Sequence, residues 1–203
     1  MTGSTRLSKV LVLGNSPQIN RIDFDRLKPG IVTLGVNRIW LKHIPDYFFF
    51  HDVQILTELE RNPEAVAQLM SQSKCFSSDW LKHGIKRPIP SWIEMYNRSN
   101  KIAFPDSVST AINLFSSNFA PDKKVTYYVA GVSLKWTNPS HFWKEIEYSS
   151  LNNLNESWYS SRFVRMLENF RTLRARGIKL VSVNPDSNLN KVCRYESIDN
   201  LYR

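Results

Sequence analysis

The sequence predicts an α/β fold whose mostly parallel sheet carries helices on both faces, and three observations predict it. Three apolar runs, Val10–Leu13, Ile31–Val36 and Tyr47–Phe50, each end in small or polar groups: Gly14-Asn15-Ser16-Pro17, Asn37-Arg38 and His51-Asp52. Their near-continuous apolar character is that of strands buried on both faces, as parallel strands are. Strand-like and helix-like patterns then alternate along the chain, the order that crossover helices impose on a parallel sheet. In such open sheets ligands bind just beyond the carboxyl ends of the strands. The stretch Lys9–Asp52 therefore nominates a fold, a site and a ligand class, a nucleotide.

Taken in order, residues 9–14 form the first predicted strand. Pro17–Leu27 reads as a short helix closed by Pro29-Gly30. Residues 31–36 and 46–50 are strands two and three. Val53–Ser73 is a longer helix that Pro63 interrupts or restarts. Residues 74–106 read as irregular, with weak strand signals at Lys74–Phe76 and Lys101–Phe104. Ser107–Ala120 is a helix with hydroxyl residues at its start. Lys124–Val132 is a strong strand, rich in β-branched and aromatic residues. Residues 133–155 form a polar insertion with aromatic interruptions. Glu156–Arg176 is a long helix whose apolar stripe is Phe163, Met166, Leu167, Phe170 and Leu173, closed by Gly177. Ile178–Val183 is the last clear strand, stopped by Asn184-Pro185-Asp186-Ser187. Residues 1–203 thus read as one Rossmann-like α/β domain. Residues 74–106 and 133–155 are its insertions, or a small irregular lid over the strand ends.

The chain has 203 residues, enough for one domain with a substantial core. Its 42% hydrophobic and 22% charged content is that of a soluble globular protein. No apolar run approaches the roughly 20 residues of a membrane span, and Met1–Lys9 has no apolar signal-peptide core. Cys75 and Cys193 lie outside metal-ligand spacing and read as reduced thiols, so a cytoplasmic location is expected. With 27 Lys and Arg against 18 Asp and Glu, the net charge is +9. That balance fits nucleic acid, phosphorylated substrates or an acidic membrane surface, and equally a basic surface without a specific partner.

Chemistry concentrates at the strand ends. Gly14 lets the backbone approach a ligand, and the helix start after Ser16 favours phosphate, although a plain tight turn has the same composition. No Gly-x-Gly-x-x-Gly or P-loop motif is present. Asn37 offers both a donor and an acceptor to a ribose or base edge, or caps the next turn. His51 and Asp52 are candidate substrate contacts or bases, with Asp52 also placed to cap the next helix. Asp106-Ser107-Val108-Ser109-Thr110 combines hydroxyls with a helix start, fit for phosphate or sugar or for simple capping. Gly131-Val132-Ser133 leads from the strong strand into the insertion, which carries Trp136, His141, Trp143 and Tyr148. His141 is a further candidate base. Arg162 and Arg165 lie off the long helix's apolar stripe, near Arg176, on a face that can meet phosphates or simply face water.

These segments together resemble the small bacterial sialyltransferases of glycosyltransferase family 42 and related phage-encoded glycosyltransferase-like proteins. Lys9-Val-Leu-Val-Leu-Gly-Asn-Ser-Pro17 resembles that family's first strand and Gly-Asn-Gly-Pro loop. Ile22-Asp-Phe-Asp-Arg-Leu27 resembles its Ile-Asp-Tyr-x-Arg-Leu segment, and Val36-Asn37-Arg38 its Cys-Asn-Gln turn. Tyr128-Val-Ala-Gly131-Val132 resembles its Tyr-Leu-Ser-Gly-Ile strand, and Asn184-Pro-Asp-Ser187 the turn beyond its last strand. The resemblance implies a metal-independent, inverting glycosyltransferase with no cofactor beyond its nucleotide-sugar co-substrate. It implies nucleotide binding by Gly14, Asn15, Ser16, Asn37, Arg38, Ser107, Ser109 and Gly131. It implies phosphate contacts from Tyr148 and Tyr159, beside Arg162. Two departures stand out. His51 replaces the family asparagine after strand three, and Trp158-Tyr159-Ser160 occupy the region of the family's catalytic histidine. The expected base is therefore His51, Asp52 or His141. The expected acceptor is hydroxymethylated phage DNA, whose phosphates suit the basic chain, or a surface oligosaccharide. The alternative is a non-catalytic nucleotide- or nucleic-acid-binding protein on the same fold.

Overall fold

The computed structural model describes residues 7–97, 106–121, 124–135, 142 and 156–203, with side chains from residue 160 onward in the last segment. Eight parallel strands form one sheet: β1 (Lys9–Leu13), β2 (Ile31–Val36), β3 (Tyr47–Phe49), β4 (Lys74–Ser78), β5 (Glu94–Tyr96), β6 (Thr126–Ala130), β7 (Lys179–Ser182) and β8 (Arg194–Tyr195). Their spatial order is β5-β4-β3-β2-β1-β6-β7-β8. Among the described residues the α-helices are α1 (Val53–Glu60), α2 (Pro63–Gln72), α3 (Trp80–Gly84), α4 (Ser107–Asn118) and α5 (Glu156–Ala175). The α/β, parallel-sheet prediction holds.

Side-chain alternation along the strands feeds two cores. Val10, Val12, Leu34, Val36, Phe49 and Phe76 pack under α4 and α5 with Phe115, Phe170 and Leu173. Leu11, Leu13, Phe48, Phe50 and Cys75 pack on the other face with Ile55, Leu56 and Leu59 of α1 and Leu69 of α2. Both cysteines are free and buried.

Several boundaries differ from the sequence reading, each for a local reason. The helix expected over 17–27 is two 3-10 turns, Pro17–Arg21 and Phe24–Arg26. Ile22 is extended between them, and the Asp23 carboxylate accepts from Asp25 N–H, which starts a new turn. At Pro63 the long helix divides: Asn62 caps α2 through Ala65 N–H, and proline occupies the first turn, where its missing donor costs nothing. Residues 74–97 are not a lid. They add β4 and β5 to the main sheet with α3 between them, β5 pairing in register with Phe76, Ser77 and Ser78. The strand proposed at 101–104 lies outside the described residues.

From β1 the chain steps outward to β5, then returns through α4 to β6 on the opposite side of β1. The order reverses between β1 and β6. The segments leaving these two strands enter opposite cores, Ile19 into one and Val132 and Leu134 into the other. A switch point of this kind opens a crevice at the carboxyl edge.

Candidate functional site

The floor of the crevice is sewn from the β1 and β6 turns. Gly14 N–H donates to Ala130 O at 2.9 Å, and Ser16 N–H donates to Gly131 O at 2.8 Å. The Gly14 amide therefore serves the sheet. Its glycine identity is a packing requirement: a Cβ there would lie 2.4 Å from Gly131 O and 2.7 Å from Val132 Cγ2. Gly131 is likewise fixed by φ +64° and by Ile19, 2.4 Å from where its Cβ would be. Gly14→Ala should cost about 1–3 kcal/mol by overpacking. Urea unfolding of the variant measures it, and a midpoint equal to wild type would contradict this packing.

The β6 turn is clamped from behind. Leu134 has φ +50°, a left-handed conformation costing roughly 1–2 kcal/mol in a non-glycine residue. It is held by Asn188, whose side-chain amide donates to Leu134 O at 2.8 Å and whose N–H donates to Ser133 O at 2.8 Å. With its amide oxygen facing the two donors, Asn184 accepts from Gly131 and Val132 N–H at 3.1 and 3.2 Å. The Asn184–Ser187 segment, read as a strand stop, is thus a brace for the site. Ser16 and Ser133 meet across the switch point, with Ser133 N–H donating to Ser16 Oγ at 3.1 Å.

A second line of polar groups runs from β1 to β3. Asn15 Nδ2 donates to Val36 O at 3.3 Å, which sets Asn15 beside Asn37. Asn37, at φ +53°, donates through Nδ2 to Ser107 Oγ at 3.0 Å. Asparagine tolerates that backbone region better than most residues. Ser107 Oγ is in turn 3.3 Å from His51 Nε2, and Asp52 Oδ1 is 3.8 Å from the same nitrogen. The amide oxygens of both Asn15 and Asn37 are buried and accept no hydrogen bond.

Behind His51 lies a carboxylate that the sequence showed only as a cap. Asp106 is 6% exposed and does cap α4, accepting from Ser109 N–H at 2.8 Å and from the Ser109 hydroxyl. Asn169 of α5 donates to it at 2.6 Å. Burial pushes the Asp106 pKa up, and the Ser109 and Asn169 hydrogen bonds and the nearby His51 oppose that. Asn169 was legible in principle, as the one polar residue set between Met166 and Leu173 on the helix's apolar side.

Other nominated residues point elsewhere. The buried guanidinium of Arg38 grips Glu58 of α1, with Nε 2.8 Å from Oε2. Ser109 is fully buried against Asp106 and Asn169 and orients the cap. Asp52 occupies the N-cap position, but its side chain makes no cap bond and is half exposed. Arg162 and Arg165 are exposed on α5. Arg176 is committed to Asn113 at the far end, about 20 Å from Arg162 at the helical rise, so the three make no common face. His141 and Tyr148 lie outside the described residues, as does the side chain of Tyr159. Of the 136–155 segment Phe142 is described: it is buried, and its N–H donates to Asn15 O at 3.0 Å. Among the described residues no group of three or more metal-ligating side chains occurs, and no helix is long and apolar enough to cross a membrane.

This fold matches that of solved sialyltransferases of Campylobacter jejuni. The monofunctional α-2,3-sialyltransferase Cst-I aligns with TM-score 0.58 and 15% identity, over 100% of this chain and 85% of that one. CstII in complex with the substrate analogue cytidine-5'-monophosphate aligns at 0.54 and 13%, over 98% and 88%. CstII with a trisaccharide acceptor and CMP aligns at 0.53 and 14%, over 93% and 86%. The chain shares their fold, as the motif resemblance implies. No protein-family model and no curated protein sequence matches it.

Proposed function

We propose that the carboxyl-edge crevice binds a nucleotide sugar and that the protein is a metal-independent, inverting glycosyltransferase. The observation that carries this reading is the pair of buried, unfilled amide oxygens on Asn15 and Asn37. A buried acceptor left empty costs about 1–3 kcal/mol, and here two of them adjoin at a switch point. Ribose hydroxyls or a base amino group supply the missing donors. The likeness to structures solved with CMP supports the same ligand class.

In this reading His51 takes the proton of the acceptor hydroxyl as its oxygen attacks the anomeric carbon, and the nucleotide phosphate leaves. Asp52 Oδ1, 3.8 Å from His51 Nε2, faces the proton that arrives there. The acceptor we propose is hydroxymethylated DNA, matched to the +9 charge. The second reading, an oligosaccharide acceptor, is favoured by the trisaccharide held in the aligned CstII structure.

Thermal denaturation against CMP, UDP and their sugars tests the donor site. A ligand at 100 times its Kd adds about 2.7 kcal/mol, a clear rise in Tm. A nucleotide hit followed by transfer to DNA or to the trisaccharide fixes the acceptor. A flat response across the panel would leave the non-catalytic reading in possession.

A further inference from the structure

We propose that Ser107 and His51 form a nucleophile–base pair that opens activated acyl esters, a reaction separate from the transfer of a nucleotide sugar. The geometry of the Asn37–Ser107–His51 cluster carries it. Asn37 Nδ2 can only donate, so its 3.0 Å bond to Ser107 Oγ occupies a lone pair of that oxygen. The hydroxyl proton and the second lone pair of Ser107 remain for His51 Nε2 at 3.3 Å, and the imidazole tautomer sets which of the two donates. In the tautomer that carries its proton on Nδ1, the neutral imidazole accepts at Nε2 and serves as the base for Ser107. The Asn37 donor also stabilises charge building on Oγ as the proton leaves.

The surroundings favour the same ionisation. Ser107 is the first residue of the 12-residue helix α4, and the positive end of a helix stabilises an adjacent anion. Asp52 lies 3.8 Å from Nε2, and the buried Asp106 interacts electrostatically with the imidazole. Ser107 itself is only half-buried, so a small electrophile can reach it. A serine and an imidazole within hydrogen-bond reach, beside the Asp52 carboxylate, is the arrangement of an activated hydroxyl.

The step balances. Ser107 Oγ bonds to the acyl carbon while its proton passes to His51 Nε2. The ester C–O bond breaks, and the leaving alcohol takes that proton. Water, deprotonated by His51, then attacks the acyl-serine, releasing the carboxylic acid and restoring both residues. With a fluorophosphonate the new bond is Oγ–P, fluoride leaves, and the adduct persists.

The full chain is treated with p-nitrophenyl acetate and, separately, with a fluorophosphonate, and adducts are located by intact mass and peptide mapping. The expected result is a single phosphonyl adduct on Ser107, lost in Ser107→Ala and formed about 100-fold more slowly in His51→Gln. Ser107→Cys supplies a second readout through iodoacetamide. The native thiols are a quiet background, since burial pushes Cys75 up to about 12 and Cys193 up to about 11. Residue 107 should alkylate faster than free cysteine, and His51→Gln should abolish the advantage. No adduct, an adduct on another serine, or labelling and alkylation indifferent to His51→Gln would overturn the pair. Nucleotide-dependent Tm shifts are read on the same protein without labelling. A donor hit with unreactive Ser107 removes this inference alone, and labelling without a donor hit removes the nucleotide-sugar reading alone.

Discussion

His51→Ala lowers the proposed glycosyl transfer by about 10²–10⁴ in turnover, roughly 2.7–5.4 kcal/mol of barrier, while nucleotide binding stays close to wild type. The split follows from where the groups sit. The empty acceptors assigned to the nucleotide belong to Asn15 and Asn37. His51 stands one residue further along, across Ser107 from Asn37. Removing the imidazole takes away the proton acceptor and leaves both asparagine oxygens in place. Single-turnover rates, read with nucleotide-induced Tm shifts, separate the two effects. Unchanged turnover in His51→Ala would return the role of base to Asp52 or to a residue of the 136–155 segment. A loss of nucleotide binding with unchanged turnover of bound donor would make His51 a binding group instead.

Arg38→Met destabilises the fold by about 3–5 kcal/mol, the cost of stranding one member of a buried ion pair. Arg38 and Glu58 side chains are 6% and 9% exposed, and no solvent is at hand to replace the guanidinium. Against a typical total of about 5–15 kcal/mol, the single variant is marginal at best. The physical origin predicts a rescue. Arg38→Met with Glu58→Leu removes both charges, fills similar volume with apolar atoms, and should recover most of the loss. Chemical denaturation of the two variants decides it. A double variant as unstable as the single one would mean that Arg38 contributes through contacts other than Glu58.

The family-like motifs gather at the carboxyl edge of the sheet, and several of their residues hold that edge together. Gly14 was visible as a special glycine, but its amide and its missing Cβ both answer to β6. Ser107 and Ser109 are indistinguishable as neighbouring hydroxyls in a helix start. One meets Asn37 and His51, and the other is sealed against Asp106 and Asn169.

What the sequence by itself determined is local. Apolar runs gave β1, β2, β3 and β6 within a residue or two, because a strand buried on both faces leaves an uninterrupted apolar signature. The residues ending those runs mark the carboxyl edge of the sheet, because parallel strands all point their carboxyl ends the same way. The three-residue β5 and two-residue β8 carried no such signature, since each exists by pairing with a neighbour already in place. Only the tertiary structure decided the partners. Arg38 finds Glu58 20 residues on, Asn37 finds Ser107 70 residues on, and Asp106 finds Asn169 63 residues on. Charge and hydrogen-bonding capacity can be read from one residue, but the group that satisfies them is set by which elements the sheet order brings together.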